Sequence, residues 1–275
     1  GRAGPFADAI GAPASSVKLS ALHPRYEHAK RERVLAELAP RLLQLARQAR
    51  GYNIGLTVDA EEADRLELSL DVIEAAWSDP SLAGWEGFGI VVQAYQKRAP
   101  CVIDWIAALA REHGRRIPVR LVKGAYWDSE VKRAQVEGHP TYPVFTRKPN
   151  TDVSYQANAV RLLSATDAIY PMFATHNAQT IAAIHHMARA LLPAAVGQAR
   201  GYEFQKLHGM GDDLYAEVIP AERLDVPCRV YAPVGSHEDL LPYLVRRLLE
   251  NGANSSFVNR IGDEAISIDE LVRDP

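Results

Sequence analysis

The chain is poor in cysteine, carries little net charge and has no long apolar segment. Its 275 residues include only Cys101 and Cys228, which are too few for a disulfide framework and lack zinc-like spacing. We therefore interpret both as reduced structural thiols. The formal net charge of -3 gives no general electrostatic reason to bind nucleic acid. No apolar run is long enough to span a bilayer, and residues 1–16 lack the regions of a signal peptide, so a cytoplasmic location is expected.

The composition is that of one enzyme-sized α/β domain. The chain is 47% hydrophobic and 24% charged, which suffices for one large core. Residues 1–16 are rich in Gly, Ala, Pro and Ser, and they predict a linker with at most a short helix at residues 6–10. Residues 17–275 are the predicted folded domain.

Short apolar runs typical of buried strands alternate with helical patterns. The runs lie at residues 17–21, 54–59, 89–93, 118–123, 170–177, 202–208 and 228–234. The helices are predicted at residues 32–50, 61–77, 100–113, 129–137, 152–164, 178–191 and 211–218. Such alternation predicts parallel βαβ units, and several runs end in reactive side chains. Reactive residues at the carboxyl ends of successive strands are where a β/α barrel builds its active site.

The most informative run is residues 120–130, which ends in polar and aromatic groups. Arg120 and Lys123 stand among its apolar residues and need partners, because an unpaired buried charge is unfavourable. Our hypothesis is that the partner is an anionic ligand. The alternative is an edge strand whose Arg and Lys are solvated.

A further helix is predicted at residues 236–252. Ser236 and Asp239 resemble a capping box, and Gly252 suits the helix end. One face is apolar, with Leu240, Leu241, Leu244, Val245, Leu248 and Leu249. The other face carries Tyr243, Arg246, Arg247 and Glu250. A charged face is commonly just solvated, but adjacent arginines also form a bidentate clamp for a carboxylate.

Six blocks of the sequence carry a resemblance to a known family. They are residues 18–26 (KLSALHPRY), 59–62 (DAEE), 93–98 (QAYQKR), 120–130 (RLVKGAYWDSE), 174–177 (ATHN) and 243–251 (YLVRRLLEN). From Val17 onward the chain resembles the proline dehydrogenase domain of the bifunctional bacterial proline utilisation A flavoenzymes. The resemblance implies a distorted (β/α)8 barrel of the TIM type that binds FAD. It also implies oxidation of L-proline to Δ1-pyrroline-5-carboxylate, the first step of proline catabolism, with electrons passed to a membrane quinone.

The resemblance assigns substrate contacts. Arg246 and Arg247 match the pair that holds the substrate carboxylate, and Lys18 adds positive charge from a strand end. The residues that match those enclosing the proline ring are Tyr126, Leu207, Tyr231 and Tyr243. Asp59 matches a carboxylate near the amine, and its alternative role is the amino-cap of a helix that begins at Ala60.

The resemblance also assigns cofactor contacts. At the end of the fourth run these are Arg120, Val122, Lys123, Gly124, Ala125 and Trp127. Gly124 allows close backbone approach, and a nearby cation stabilises negative charge on the reduced ring. Other positions that match flavin contacts are Gln93, Thr146, Lys148, Thr175, His176, Asn177, Gln205, Glu250, Ser256 and Phe257. The implied mechanism is hydride transfer from proline C5 to flavin N5, and no metal site is predicted.

The chain departs from the family in its number of strands. Seven are predicted, and the missing one is the first, which in the family ends in an acidic residue that pairs with the counterpart of Arg246. We expect a fragment, or a first strand supplied by another segment. The family's DNA-binding and aldehyde dehydrogenase domains have no counterpart here, and peripheral contact with the inner membrane is implied only for a full-length protein.

Two other functions stay open. One is a flavin-free barrel lyase or aldolase in which Lys18 or Lys123 forms a Schiff base. The other is a catalytically impaired fragment that binds ligands weakly. A flavin spectrum distinguishes the lyase from a flavoenzyme, and proline turnover with an artificial acceptor distinguishes an intact site from an impaired one.

Overall fold

The structure is a computed structural model, and it describes residues 9–192 and 201–252 with a few isolated positions after them. Its strands are β1 Ala14–Val17, β2 Gly55–Val58, β3 Phe88–Gln93, β4 Ile117–Val122, β5 Ile169–Ala174, β6 Glu203–Leu207 and β7 Cys228–Tyr231. Its helices are α1 Leu19–Leu22, α2 Arg31–Gly51, α3 Leu66–Trp77, α4 Ala99–Glu112, α5 Trp127–Val136, α6 Lys148–Leu163, α7 Ala178–Leu191, α8 Asp212–Ala216 and α9 His237–Gly252.

The strands form one parallel sheet in sequence order, β1 to β7, curled into a half-barrel. Within the described residues β1 and β7 are the two edges of this sheet. The predicted α/β barrel class is therefore confirmed, and residues 9–192 and 201–252 contain the seven predicted strands. The eight predicted helices are present as α2 to α9. Among the described residues no helix is long and apolar enough to cross a membrane.

The two faces of the sheet differ in chemistry. On β4, Ile117, Val119 and Leu121 have no exposed surface and belong to the hydrophobic core, which also holds the apolar residues of the helices. Because side chains alternate along a strand, the intervening Pro118 and Arg120 face the inside of the curl. The inner face carries polar side chains among apolar ones: Thr57, Arg120, Gln205 and Arg229 line a small cavity there together with Met172. The hydrophobic core therefore lies between the sheet and the helices, and the inner face of the sheet is where polar side chains can meet.

The first strand differs from its prediction. β1 begins at Ala14, inside the predicted linker, and the predicted strand at residues 17–21 ends at Val17. Residues Leu19–Leu22 instead form the short helix α1. The Glu61 carboxylate accepts hydrogen bonds from the Ser20 backbone N–H at 3.0 Å and from the Ser20 hydroxyl, which favours this turn over extended backbone. Of the predicted short helix at residues 6–10, only Ala9 and Ile10 are described, and they lie in a turn.

The segment after β2 also corrects a prediction. The helix expected from residue 61 begins as a 3-10 turn at Ala63–Arg65 and becomes α3 at Leu66. Asp59 is thus not a helix cap, because Glu62 occupies the capping position.

α9 begins with the predicted capping box. The Ser236 backbone N–H donates to Asp239 Oδ2, and the Asp239 backbone N–H donates to Ser236 Oγ, both at 3.3 Å. The apolar face is not buried by the described residues, since Leu241 is 55% exposed and Leu248 73%. Tyr243 and Arg247 are half-buried instead. The polar face of α9 therefore turns towards the barrel.

Gly89 on β3 offers a test of the inner-face packing. A Cβ at this position would lie 2.9 Å from Thr57 Oγ1 and 3.0 Å from the Pro118 carbonyl oxygen. We expect Gly89→Ala to lower the free energy of unfolding by about 1–3 kcal/mol through overpacking, measured by urea unfolding. The control is Gly51→Ala at the end of α2, where nothing lies within 4 Å, and it should be neutral or stabilising. Equal stability of the two variants would contradict this packing.

Candidate active site

The carboxyl ends of the seven strands meet at one edge, because all of them run parallel. Hydrogen bonds continue past the strands there, from Asp59 N to Val17 O at 2.9 Å and from His208 N to Tyr231 O at 2.8 Å. At or just after the strand ends lie Lys18, Asp59, Gln93, Lys123, Thr175, Leu207 and Tyr231. The structure thus brings to one edge residues that the sequence assigns to a single site.

Arg120 on β4 is buried on the inner face, with 8% of its surface exposed. Its Nη1 donates to Asp59 Oδ1 at 2.9 Å, its Nε to Gln205 Oε1 at 2.6 Å and its Nη2 to Ser16 Oγ at 2.9 Å. The guanidinium also lies 5.1 Å from the centre of the Tyr231 ring. The expectation of an anionic ligand as its charge partner is therefore wrong, because Asp59 supplies that charge.

The second oxygen of Asp59 faces a cluster of polar side chains. Tyr231 OH donates to Asp59 Oδ2 at 3.4 Å, and Lys18 Nζ lies 3.8 Å from the same oxygen. Lys18 Nζ also donates to Tyr126 OH at 3.3 Å. Burial, followed by the Asp59 charge, raises the pKa of Tyr231 to about 12, so its phenol is protonated at neutral pH. A cation, a carboxylate and two phenols therefore share one region.

Two lysines converge on Asp152 near the start of α6. Lys148 Nζ lies 2.8 Å from Asp152 Oδ2, and Lys123 Nζ is ion-paired with Asp152 Oδ1. Asp152 thus supplies the partner of Lys123, for which an anionic ligand was also expected. Thr146 lies in the loop that leads into α6. These two ammonium groups and one carboxylate, beside the end of β4, carry one net positive charge.

The loop after β4 depends on a glycine. Gly124 has a φ of +133°, and a Cβ there would lie 2.5 Å from the ring of Tyr95. Only glycine fits this conformation and this close approach. Val122 ends β4, Ala125 follows Gly124, and Trp127 begins α5. The Trp127 indole N–H donates to the Phe145 carbonyl at 2.9 Å and leaves the residue 42% exposed beside the loop.

The residues after β5 begin helix α7. Asn177 Oδ1 accepts from the Thr180 backbone N–H at 3.1 Å, and Thr175 Oγ1 accepts from the Asn177 backbone N–H at 3.1 Å. Both side chains thus have a capping or turn role that is independent of any ligand. Gln93 at the end of β3 is buried, and its Oε1 accepts from Gln96 Nε2 at 2.8 Å.

His176 is held in one protonation state. Its Nε2 accepts from the Leu207 backbone N–H at 3.0 Å, which requires that the ring proton be on Nδ1. Burial lowers the pKa of His176 to about 4, and the charges of Arg247 and Lys206 act in the same direction. The imidazole is therefore neutral at pH 7, with Nδ1–H as a donor.

The polar face of α9 approaches these residues. Arg247 lies 5.3 Å from the Tyr243 ring centre and is close enough to His176 to lower its pKa, while Tyr243 influences the pKa of Tyr231. Arg246 and Glu250 belong to α9, but their side chains lie outside the described part of the chain. Ser256 and Phe257 lie outside the described residues altogether.

Three residues of this region have no functional role predicted from the sequence: Ser16, Asp152 and Glu203. Asp152 lies one helical turn after the first residue of α6, with opposite charge, and Glu203 shares a strand face with Gln205. Both spacings are visible in the sequence. Ser16 carries no local signal, because its partner Arg120 is 104 residues away.

Comparison with known proteins identifies relatives of the whole chain. The family model described as proline dehydrogenase matches residues 4–260. The bifunctional protein PutA of Salmonella typhimurium is 60% identical over 267 residues, covering 96% of this chain and 20% of that protein. A solved proline utilization A variant from Bradyrhizobium japonicum is 56% identical with a TM-score of 0.92, covering 99% of this chain and 27% of the other. A solved PutA with proline bound in remote sites is 57% identical with a TM-score of 0.89, covering 95% and 26%. The chain spans about a fifth of the curated relative's length.

The lowered pKa of His176 can be measured directly by a pH titration. We expect the imidazole nitrogen signals in NMR to change with a midpoint near pH 4 and to report the Nδ1–H tautomer at neutral pH. The folded pKa lies below the ordinary value of 6.5, so the unfolded state binds the proton first as the pH falls. The free energy of unfolding should therefore decrease from about pH 6.5 to 4, and less so in His176→Gln. A midpoint above pH 6 would contradict the assignment.

Proposed function

The chain belongs to the proline dehydrogenase family, and we propose that it oxidises L-proline to Δ1-pyrroline-5-carboxylate with FAD as its cofactor. The observation that carries this proposal is the convergence of Lys18, Asp59, Tyr126 and Tyr231 at the carboxyl edge, with the polar face of α9 close to them. This region offers cations for a carboxylate and aromatic rings for a small apolar ring. These two features together suit a cyclic amino acid, which has a carboxylate and a small apolar ring.

The substrate carboxylate is proposed to bind Arg246 and Arg247, with Lys18 nearby. Support comes from α9, which turns its polar face to the barrel although its other face is apolar. Guanidinium groups bind carboxylates through paired, charge-assisted hydrogen bonds. Lys18 Nζ, placed beside Tyr126 OH, adds a third positive charge to those of the two arginines.

The proline ring is proposed to lie among Tyr126, Leu207, Tyr231 and Tyr243. The Asp59 carboxylate accepts from Tyr231 OH, and this contact holds the Tyr231 ring in place. Because the pKa of Tyr231 is about 12, its phenol contributes a neutral ring face and not a negative charge. The role of Asp59 in this proposal is to orient Tyr231 and Arg120.

The cofactor contacts assigned from the sequence fit FAD by their chemistry. Lys123 and Lys148 share the single Asp152 carboxylate, and the one net positive charge that remains suits a phosphate oxygen. The His176 Nδ1–H suits a hydroxyl or carbonyl acceptor. The other residues proposed to hold FAD are Gln93, Arg120, Val122, Gly124, Ala125, Trp127, Thr146, Thr175, Asn177, Gln205, Glu250, Ser256 and Phe257.

When bound, FAD supplies an acceptor at N5 for the hydride that leaves proline C5. The C5–H bond would break with both electrons while the nitrogen lone pair forms the C5=N bond, so the amine must be neutral beforehand. The product would form as the protonated imine, which then releases its N–H proton to water. The protein's task is to orient the ring, and such positioning tolerates little displacement. A quinone is the proposed final electron acceptor, and peripheral membrane contact is proposed only for a longer protein.

The alternative lyase needs a lysine amine ready to form a Schiff base. Lys123 is ion-paired with Asp152, and Lys18 lies 3.8 Å from Asp59. Neither amine has the apolar surroundings that activate a Schiff-base lysine, so the flavoenzyme is favoured.

Substitution of the arginine pair tests the carboxylate site. We expect Arg246→Met or Arg247→Met to raise the apparent KM for proline by about ten-fold to over a hundred-fold while flavin content changes little, because each loses a charge-assisted contact. The control is Arg161→Met in α6. It removes only an exposed ion pair with Asp104 of α4, so the KM for proline should not change. Unaltered proline saturation in both arginine variants would rule out the assignment.

A substrate analogue tests the ring site. Tetrahydro-2-furoic acid has the carboxylate and a five-membered ring but no oxidisable amine. We expect it to compete with proline and to perturb the flavin spectrum without reducing the flavin, because it fills the site but cannot lose a hydride. An analogue that neither competes nor changes the spectrum would show that the proposed ring site is wrong.

A further inference from the structure

A continuous set of hydrogen bonds crosses the inner face from β7 to β2. Arg229 Nε and Nη2 donate to Glu203 Oε1 and Oε2 at 2.8 and 2.9 Å. Gln205 Nε2 donates to the same Glu203 Oε1 at 2.7 Å, and Gln205 Oε1 accepts from Arg120 Nε at 2.6 Å. Arg120 then donates to Asp59. Two ion pairs are thus joined through one neutral amide.

The chemistry of its two charged neighbours, Glu203 and Arg120, dictates the orientation of the Gln205 amide, because its third partner, Met172 Sδ at 3.1 Å from Nε2, is only a weak acceptor. A carboxylate only accepts hydrogen bonds, and a guanidinium only donates them. Reversing the amide would place two acceptors together at Glu203 and two donors together at Arg120. Glu203 is 4% exposed and Gln205 2%. Water is therefore poorly placed to relieve such a mismatch.

Glu203 is held in place by Arg229, which is not one of the residues of the candidate active site. Arg229 neutralises its charge, and Arg229 Nη1 and Nη2 also donate to the carbonyl oxygens of Ala12 at 2.5 Å and Ile10 at 2.6 Å. The burial of Glu203 thus has a structural cause in Arg229. The hydrogen bond between Glu203 and Gln205 is not needed to explain this burial. It lies on the side of Glu203 that leads, through Gln205, to Arg120.

We propose that Glu203 is a positioning residue for Arg120. The carboxylate orients the Gln205 amide, the amide oxygen holds Arg120 Nε, and the guanidinium is thereby aimed with Nη1 at Asp59. The consequence for flavin reduction rests on the proposed function, whereas the effect on the Arg120 guanidinium does not. Glu203 needs only to accept a hydrogen bond from Gln205 for this role, and its negative charge serves Arg229.

A matched pair of double variants separates positioning from stability. Arg229→Met is combined with Glu203→Gln in one protein and with Glu203→Met in the other, so that both lack the ion pair and are neutral at residue 203. Gln at 203 still presents an acceptor to Gln205, and Met does not. The measurements are the Arg120 Nε–H signal in NMR, assigned through its loss in Arg120→Lys, and the rate of flavin reduction by proline.

We expect the variant with Gln to keep the hydrogen-bonded Arg120 signal and the reduction rate of Arg229→Met alone. The variant with Met should lose that signal and reduce flavin about ten-fold more slowly or worse, since misplaced groups lose rate steeply. Identical Arg120 signals in the two double variants would overturn the proposal. A difference in the Arg120 signal between the double variants, with no flavin reduction by proline in the unsubstituted protein, would support the positioning role and contradict the proposed function.

A second variant keeps the proposal testable if the double variant with Met does not fold. Gln205→Leu leaves the Glu203 and Arg229 pair in place and removes only the amide. We expect it to lose the hydrogen-bonded Arg120 signal as well. An unchanged Arg120 signal in a folded Gln205→Leu protein would overturn the proposal.

Discussion

The ion pair between Arg120 and Asp59, 2.9 Å long and largely buried, is the constraint on which the inner face depends. A buried pair of this kind is weak evidence for stability, but removing one partner leaves an uncompensated charge. The Nε–H and Nη2–H groups of Arg120 also have partners, Gln205 and Ser16, so the buried guanidinium is satisfied on three sides. The contacts of this one guanidinium connect strands β1, β2, β4 and β6, so the position of each affects the others.

The outer face of the sheet belongs to the apolar core, whereas the inner face carries the polar residues of the candidate site. The outer face and the helices bury a continuous apolar core that runs from α2 to β6. The inner face holds charged and amide side chains whose hydrogen bonds are satisfied across strands. Substitutions on the outer face should therefore act mainly on folding, whereas inner-face substitutions act through the geometry of Arg120 and Asp59.

α9 completes this arrangement in an unusual orientation. Its half-buried Tyr243 and Arg247 lie on the polar face, near Tyr231 and His176, while Leu244 is 43% exposed. A surface helix ordinarily buries its apolar face. The reversed orientation places the cationic Arg247 and the phenol of Tyr243 beside the strand ends.

The amino-acid sequence alone predicts the class of fold, the seven described strands and eight of the nine described helices. Those features depend on local periodicity and capping, as Ser236 with Asp239 illustrates. The folded chain is needed to establish that Asp59 pairs with Arg120 and caps no helix, that Lys123 pairs with Asp152, and that α9 turns its polar face inwards. The partners of Arg120 lie 61, 85 and 104 residues away along the chain. Contacts at such separations are set by the strand register and by the curl of the sheet, which no local pattern encodes.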